Sequence, residues 1–175
     1  MHKLPVGVLG ASGYAGQELC RLVDGHPGFE LAFAAAHSRA GETLRLPGRD
    51  VTMASVDAVA LADVAVVYSA LPHGASAVWV NKAQQAGAKV VDLSADLRPG
   101  QGADASGDFD APYGLPELNR DAIRTAHVVA NPGCYPTATL LGLMPLVARE
   151  LLVPGSPVVV GRGEWRDRCG QLAAS

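Results

Sequence analysis

The chain has 175 residues, 49% of them hydrophobic and 18% charged, a balance that suits one soluble globular domain with room for the start of a second. Its formal net charge of -3 leaves no basic surplus for a phosphate backbone, which argues against nucleic acid and for a small-molecule ligand. The opening Met1-His2-Lys3-Leu4 has no secretion-signal pattern, no apolar run approaches a membrane span, and three scattered cysteines, Cys20, Cys134 and Cys169, fit neither a disulfide framework nor a zinc site. A soluble cytoplasmic protein with reduced thiols, no membrane partner and no metal is expected.

In chain order, the apolar run Leu4 to Leu9 predicts a strand, and Leu19, Leu22 and Val23 within Tyr14 to Asp24 have helical spacing. After the turn signal His26-Pro27-Gly28, Glu30 to Ala36 predicts a second strand, which closes a parallel strand-helix-strand unit. Val64 to Ala70 reads as a strand, Ala75 to Gln85 as a helix and Lys89 to Leu93 as a strand. Ser94 to Pro116 is dense in glycine and proline and predicts a long functional loop, followed by a strand at His127 to Ala130. Pro136 to Leu152 predicts a helix whose apolar residues cover nearly its whole circumference, which implies burial. The alternation predicts an α/β fold, a Rossmann-type doubly wound parallel sheet.

Two segments carry chemistry. Gly10-Ala11-Ser12-Gly13-Tyr14-Ala15-Gly16 lies between a predicted strand and a predicted helix, the context of a dinucleotide fingerprint, although its spacing departs from GxGxxG. Gly10 suits the tight turn, Gly13 the approach of a pyrophosphate and Gly16 close packing of the helix. Where an NAD enzyme presents an acidic residue to the ribose, this chain has His37-Ser38-Arg39; Ser38 and Arg39 suit a 2'-phosphate, hence NADP, and a solvated loop charge is the competing reading of Arg39. In Asn131-Pro132-Gly133-Cys134-Tyr135-Pro136-Thr137, Cys134 stands between a strand end and a helix start. Unpaired amides and the helix dipole favour a thiolate there, so the local pattern leaves two readings, buried filler or nucleophile. Cys20, inside the first helix, reads as packing.

Taken together, GASGYAG at 10 to 16, PHGAS at 72 to 76, DLSADLR at 92 to 98, YGLPEL at 113 to 118 and NPGCYPT at 131 to 137 resemble the N-acetyl-gamma-glutamyl-phosphate reductase family of arginine biosynthesis. The resemblance implies that Cys134 attacks the acyl phosphate, expels phosphate and holds a thioester that NADPH reduces to the semialdehyde. It matches Gly10, Ser12, Gly13, Tyr14, Ala15 and Gly16 to the pyrophosphate turn and Ser38 and Arg39 to the adenosine-phosphate end. Pro72, at the carboxyl end of a strand, is expected beside the nicotinamide, with helix entry as its alternative. Arg98 is a candidate clamp on substrate phosphate or carboxylate, against a plain loop ion pair, and Asn131 a candidate to orient the thioester, against ordinary turn chemistry. An aspartyl-phosphate enzyme and a non-catalytic NADP-binding domain are the alternatives.

The same resemblance divides the chain into 1–152, the NADP-binding domain with the cysteine helix, 153–160, the start of a substrate domain, and 161–175, a tail unlike the family. The family's second, α+β substrate and dimerisation domain, with its general acid and the homo-oligomer it forms, is expected to be missing. Glu164 to Gln171 can be encoded so that the frame one base later reads Ser-Gly-Val-Thr-Gly-Ala-Gly, a family-like segment, so a frameshift after about residue 160 is expected, with a natural but divergent short protein as the alternative, together with poor turnover.

Overall fold

The structure is a computed structural model and describes residues 2–99, 110–153 and 155. Part of the predicted long loop (100–109), nearly all of the predicted second-domain start and the tail with its frameshift reading lie outside those residues. The chain divides into two compact units, Met1–Pro132 and Gly133–Ser175.

The first unit is a parallel sheet built from β1 (Leu4–Leu9), β2 (Phe29–Ala36), β5 (Ala54–Ser55), β6 (Val66–Ser69), β7 (Lys89–Asp92) and β8 (Val128–Ala130) in the order β5-β2-β1-β6-β7-β8. Its strands read as near-continuous apolar runs because both faces are covered. Helix α1 (Tyr14–Asp24) contributes Cys20 and Val23 to one core with Val6, Val8 and Ala34. Helix α2 (Ser76–Gln85) contributes Ala77, Val80 and Ala83 to the other with Leu9, Val67 and Val90. Each fully buried Val or Leu contributes about 1.5–3 kcal/mol, and runs covered on two sides lose the polar alternation of a half-exposed strand.

The chain builds outward from β1 to β2 and β5, then returns to the opposite side of β1 for β6, β7 and β8. The carboxyl ends of β1 and β6 therefore flank the point where the winding reverses, the crevice at which open parallel sheets bind ligands.

The doubly wound sheet expected from the sequence is present, with differences that have local causes. Val64 serves as the cap of a 3-10 turn, so β6 starts only at Val66. A short antiparallel pair, β3 (Thr43–Leu46) with β4 (Arg49–Thr52), inserts before β5 and tucks Leu44 and Leu46 into the α1 core. Within the predicted loop end, Pro116 opens helix α3 (Pro116–Thr125): as its first residue proline lacks only an amide that the helix would leave unpaired.

In the second unit, α4 spans Cys134–Val147, beginning earlier and ending earlier than the spacing predicts. It stops soon after Pro145, where Glu150 takes φ 54 and the amides of Arg149 and Leu151 return to Leu146 O at 3.3 and 3.0 Å. The expected burial is corrected: no residue of α4 is buried, and Leu141, Leu146 and Val147 are exposed. An apolar circumference demands cover from several sides, and a helix's own sequence cannot show whether the chain supplies it.

Candidate active site

The turn after β1 is shaped by backbone contact. Gly10 has φ +81, and a Cβ there would run into the Ala70 carbonyl, so glycine lets this turn lie against the chain leaving β6. Gly10 and Ala11 both donate to Ala35 O, at 2.9 and 2.8 Å. Gly16 lies closer still: an added Cβ would overlap the Gly10 oxygen and stand 2.8 Å from Ala11 Cα.

The helix start that results is open. Gly13 is its N-cap with no side-chain bond, and the first turn has no acidic residue. Gln17 is the first helical residue whose amide reaches a backbone acceptor, Gly13 O at 2.9 Å, while its Nε2 donates to Ser12 O at 3.0 Å. The amides of Tyr14, Ala15 and Gly16 have no acceptor among the described residues. Donors at a helix start, with the positive end of the helix dipole, suit a phosphate group, so the residues present fit a dinucleotide pyrophosphate.

Ser38 and Arg39 follow β2, the strand that pairs with β1. Arg39 is not a bare cation: its Nε and Nη2 lie 2.8 and 2.7 Å from Glu42 Oε2, on an exposed loop. A 2'-phosphate at Arg39 would therefore compete with a carboxylate.

On the opposite wall, Pro72, His73 and Gly74 follow β6, all exposed. Beneath them lies a polar cluster that spacing did not single out. Asp92, fully buried at the end of β7, accepts from Ser76 Oγ at 2.5 Å, Ser94 Oγ at 2.7 Å and the Ser94 amide at 3.1 Å. Ser69 Oγ lies 2.6 Å from Ser76 Oγ and, since Ser76 gives its proton to Asp92, is the donor. Asp96 accepts from the amides of Gly74, Ser76 and Ala77 at 2.7, 3.0 and 3.1 Å, and so caps α2 from a distant segment. Among the described residues no buried side-chain nitrogen or oxygen is left unpaired, as buried polar groups require. The signal was available in the sequence: Asp92, Ser94 and Asp96 all fall in the DLSADLR stretch that closes an apolar strand.

Arg98 is tied to backbone rather than to a carboxylate. Its Nε donates to Asn131 O at 2.9 Å and its Nη2 to Leu93 O at 2.6 Å, so it clips the ends of β7 and β8 together. Among the described residues its Nη1 protons and second Nη2 proton meet no acceptor. The Asn131 amide donates to Asp92 O at 2.8 Å, and its Nδ2 donates to Pro132 O at 3.1 Å. Tyr113 and Gly114 of the YGLPEL stretch run beside Ala130, with Gly114 N donating to Ala130 O at 2.8 Å.

The two described cysteines occupy opposite environments. Cys20 is buried on α1, where desolvation, reinforced by Asp24, pushes its thiol up to about 12. Cys134 is exposed at the first position of α4, whose N-cap Gly133 makes no side-chain bond. Thr137 closes this turn by donating its amide and hydroxyl to Gly133 O at 3.0 and 2.8 Å. Of the two readings the sequence left open, buried filler does not describe Cys134 here.

Among the described residues no cluster of three or more His, Cys, Asp or Glu could hold a metal ion, and no helix is long and apolar enough to cross a membrane.

Known proteins match this arrangement. The family model for the semialdehyde dehydrogenase NAD binding domain matches residues 5–126. N-acetyl-gamma-glutamyl-phosphate reductases from Salinispora arenicola and Laribacter hongkongensis are 48% and 40% identical to the chain, over 89% and 87% of it and 50% of each relative. The chain thus spans about half the length of the curated relatives it matches. Aspartate semialdehyde dehydrogenase II from Vibrio cholerae, solved in complex with ASA, superposes with a TM-score of 0.71 at 27% identity, over 84% of this chain and 47% of that one. The chain belongs to the semialdehyde dehydrogenase family of oxidoreductases, through its NAD-binding domain.

Proposed function

We propose that the chain carries the cofactor-binding and nucleophile-bearing part of an N-acetyl-gamma-glutamyl-phosphate reductase, working in arginine biosynthesis with NADPH. The observation that carries this reading is Cys134, exposed at the glycine-capped start of α4 within Asn131-Pro132-Gly133-Cys134, in a chain 48% identical to a protein of that name.

The amides of Tyr14, Ala15 and Gly16 would hold the pyrophosphate, Ser38 and Arg39 the 2'-phosphate, and Pro72 the nicotinamide side of the crevice. When bound, the reduced dinucleotide supplies the hydride. Cys134, as thiolate, forms a bond to the acyl carbon while the bond to the phosphate oxygen breaks, which leaves a thioester and inorganic phosphate. The sulfur stands at the first position of α4, at the positive end of that helix's dipole. The Arg98 guanidinium protons without an acceptor among the described residues suit the leaving phosphate or the substrate carboxylate, and Asn131 stands at the strand end that leads into the cysteine turn.

The test is phosphate-dependent reduction of NADP with N-acetylglutamate semialdehyde, using this chain and a version extended to the length of its relatives. The extended form is expected to turn over, and Cys134→Ser to lower kcat at least about 1,000-fold with NADPH affinity unchanged. Full activity in the Cys134→Ser variant contradicts the reading.

A further inference from the structure

The crevice between β1 and β6 has two walls. One is the Gly10–Gly16 turn; the other is the segment after β6, which touches Gly10 at Ala70. Because β2 and β6 lie on opposite sides of β1, a dinucleotide held at this turn with its adenosine end toward Ser38 and Arg39 would extend its other half toward Pro72, His73 and Gly74.

His73 is exposed on that second wall, yet its ring is fixed. The Ala95 amide donates to Nδ1 at 2.8 Å, and the backbone on either side is held by Gly74 N to Asp96 Oδ1 at 2.7 Å and Ala75 N to Pro72 O at 3.1 Å. A ring nitrogen that accepts an N–H carries no proton, so the proton of the neutral imidazole sits on Nε2. Among the described residues no protein group accepts it. A donor of fixed tautomer and direction on the ligand edge is the kind of group that orients a bound ring.

We propose that His73 is a cofactor-binding residue whose Nε2–H donates to an oxygen on the nicotinamide half of the dinucleotide, and that Asp96 and the Ala95 amide are the groups that position it. This rests on the dinucleotide reading of the Gly10–Gly16 turn. It differs from a purely structural role for His73, in which accepting the Ala95 amide is all the ring does.

Asparagine and glutamine separate the two roles. In His73→Asn the side-chain oxygen takes the place of Nδ1 and keeps the Ala95 bond but offers no donor at the Nε2 position; in His73→Gln the amide nitrogen supplies that donor without the acceptor. Titrations of the chain with NADPH and with adenosine 2',5'-bisphosphate, which lacks the nicotinamide half, read the difference. His73→Asn is expected to melt with the wild type, to bind NADPH about tenfold more weakly, and to bind the bisphosphate unchanged. His73→Gln is expected to recover NADPH binding to within about threefold of wild type. In the unsubstituted chain, the Nε2 resonance of His73 should move on adding NADPH and stay on adding the bisphosphate. Unaltered NADPH affinity in His73→Asn, parallel losses for both ligands, or an Nε2 resonance indifferent to NADPH overturns the inference while the cofactor reading stands. A wild-type chain that binds neither ligand overturns both.

Discussion

Helices α1 and α2 begin at the same edge of the same sheet, on either side of one crevice, and their starts are built in opposite ways. At α1 the cap is Gly13, the first turn has no acidic residue, and the amides of Tyr14, Ala15 and Gly16 have no acceptor among the described residues. At α2 the carboxylate of Asp96 already receives the amides of Gly74, Ser76 and Ala77. Strand-helix alternation places both starts at the carboxyl edge of the sheet, but of the two the open one leaves its donors and dipole available to an anion. The sealed one uses the same physics internally to hold the loop that carries Pro72 and His73.

Asp96→Ala should have the largest effect, since it leaves three buried or part-buried amides without an acceptor. A loss of about 3 kcal/mol of unfolding free energy in denaturant melts is expected, and Asp96→Asn should lose less because one carboxamide oxygen still accepts. If Asp96→Ala is neutral, α2 is not sealed by this carboxylate. Next, Gly13→Asp would give α1 the seal that α2 has. A Cβ at Gly13 meets only Gly10 O, at 3.6 Å, and an N-cap aspartate adds about 0.5 kcal/mol to the helix. The variant should melt at or above the wild-type temperature and bind NADPH at least about thirtyfold more weakly by calorimetry; unchanged affinity would mean the phosphate lies elsewhere.

The smallest effect is expected at Glu42→Gln. An exposed, solvent-screened ion pair such as Arg39–Glu42 holds its partners weakly, so freeing Arg39 should raise the ratio of NADPH to NADH affinity only about threefold. A fall in that ratio would show Glu42 helping the 2'-phosphate site rather than competing with it.

Much of the first wall was legible from residues 4 to 24, because a both-sides-buried strand, a glycine turn and a helical repeat leave three distinct local patterns. The second wall was less so. Pro72 could be placed at a strand end, but the ring of His73 is fixed by the Ala95 amide, 22 residues away in sequence, and no local pattern encodes that partner. Helix α3 went unread: the loop expected from glycine and proline density ended at Pro116, which marked the start of the helix rather than a break, and the few apolar residues after it gave no clear repeat. For Arg98 the sequence offered ligand or ion pair, whereas the side chain grips two carbonyls that only strand pairing brings together. The apolar run of α4 showed what the helix would need around it, not what it has.

The most direct measurement is a crystal structure of this chain with NADPH. Pyrophosphate oxygens are expected at about 2.7–3.2 Å from amides within Ser12 to Gly16, with the nicotinamide half on the Pro72–Gly74 side of the crevice. Pyrophosphate density at the start of α2, or an empty Gly10–Gly16 turn at saturating NADPH, would contradict this placement.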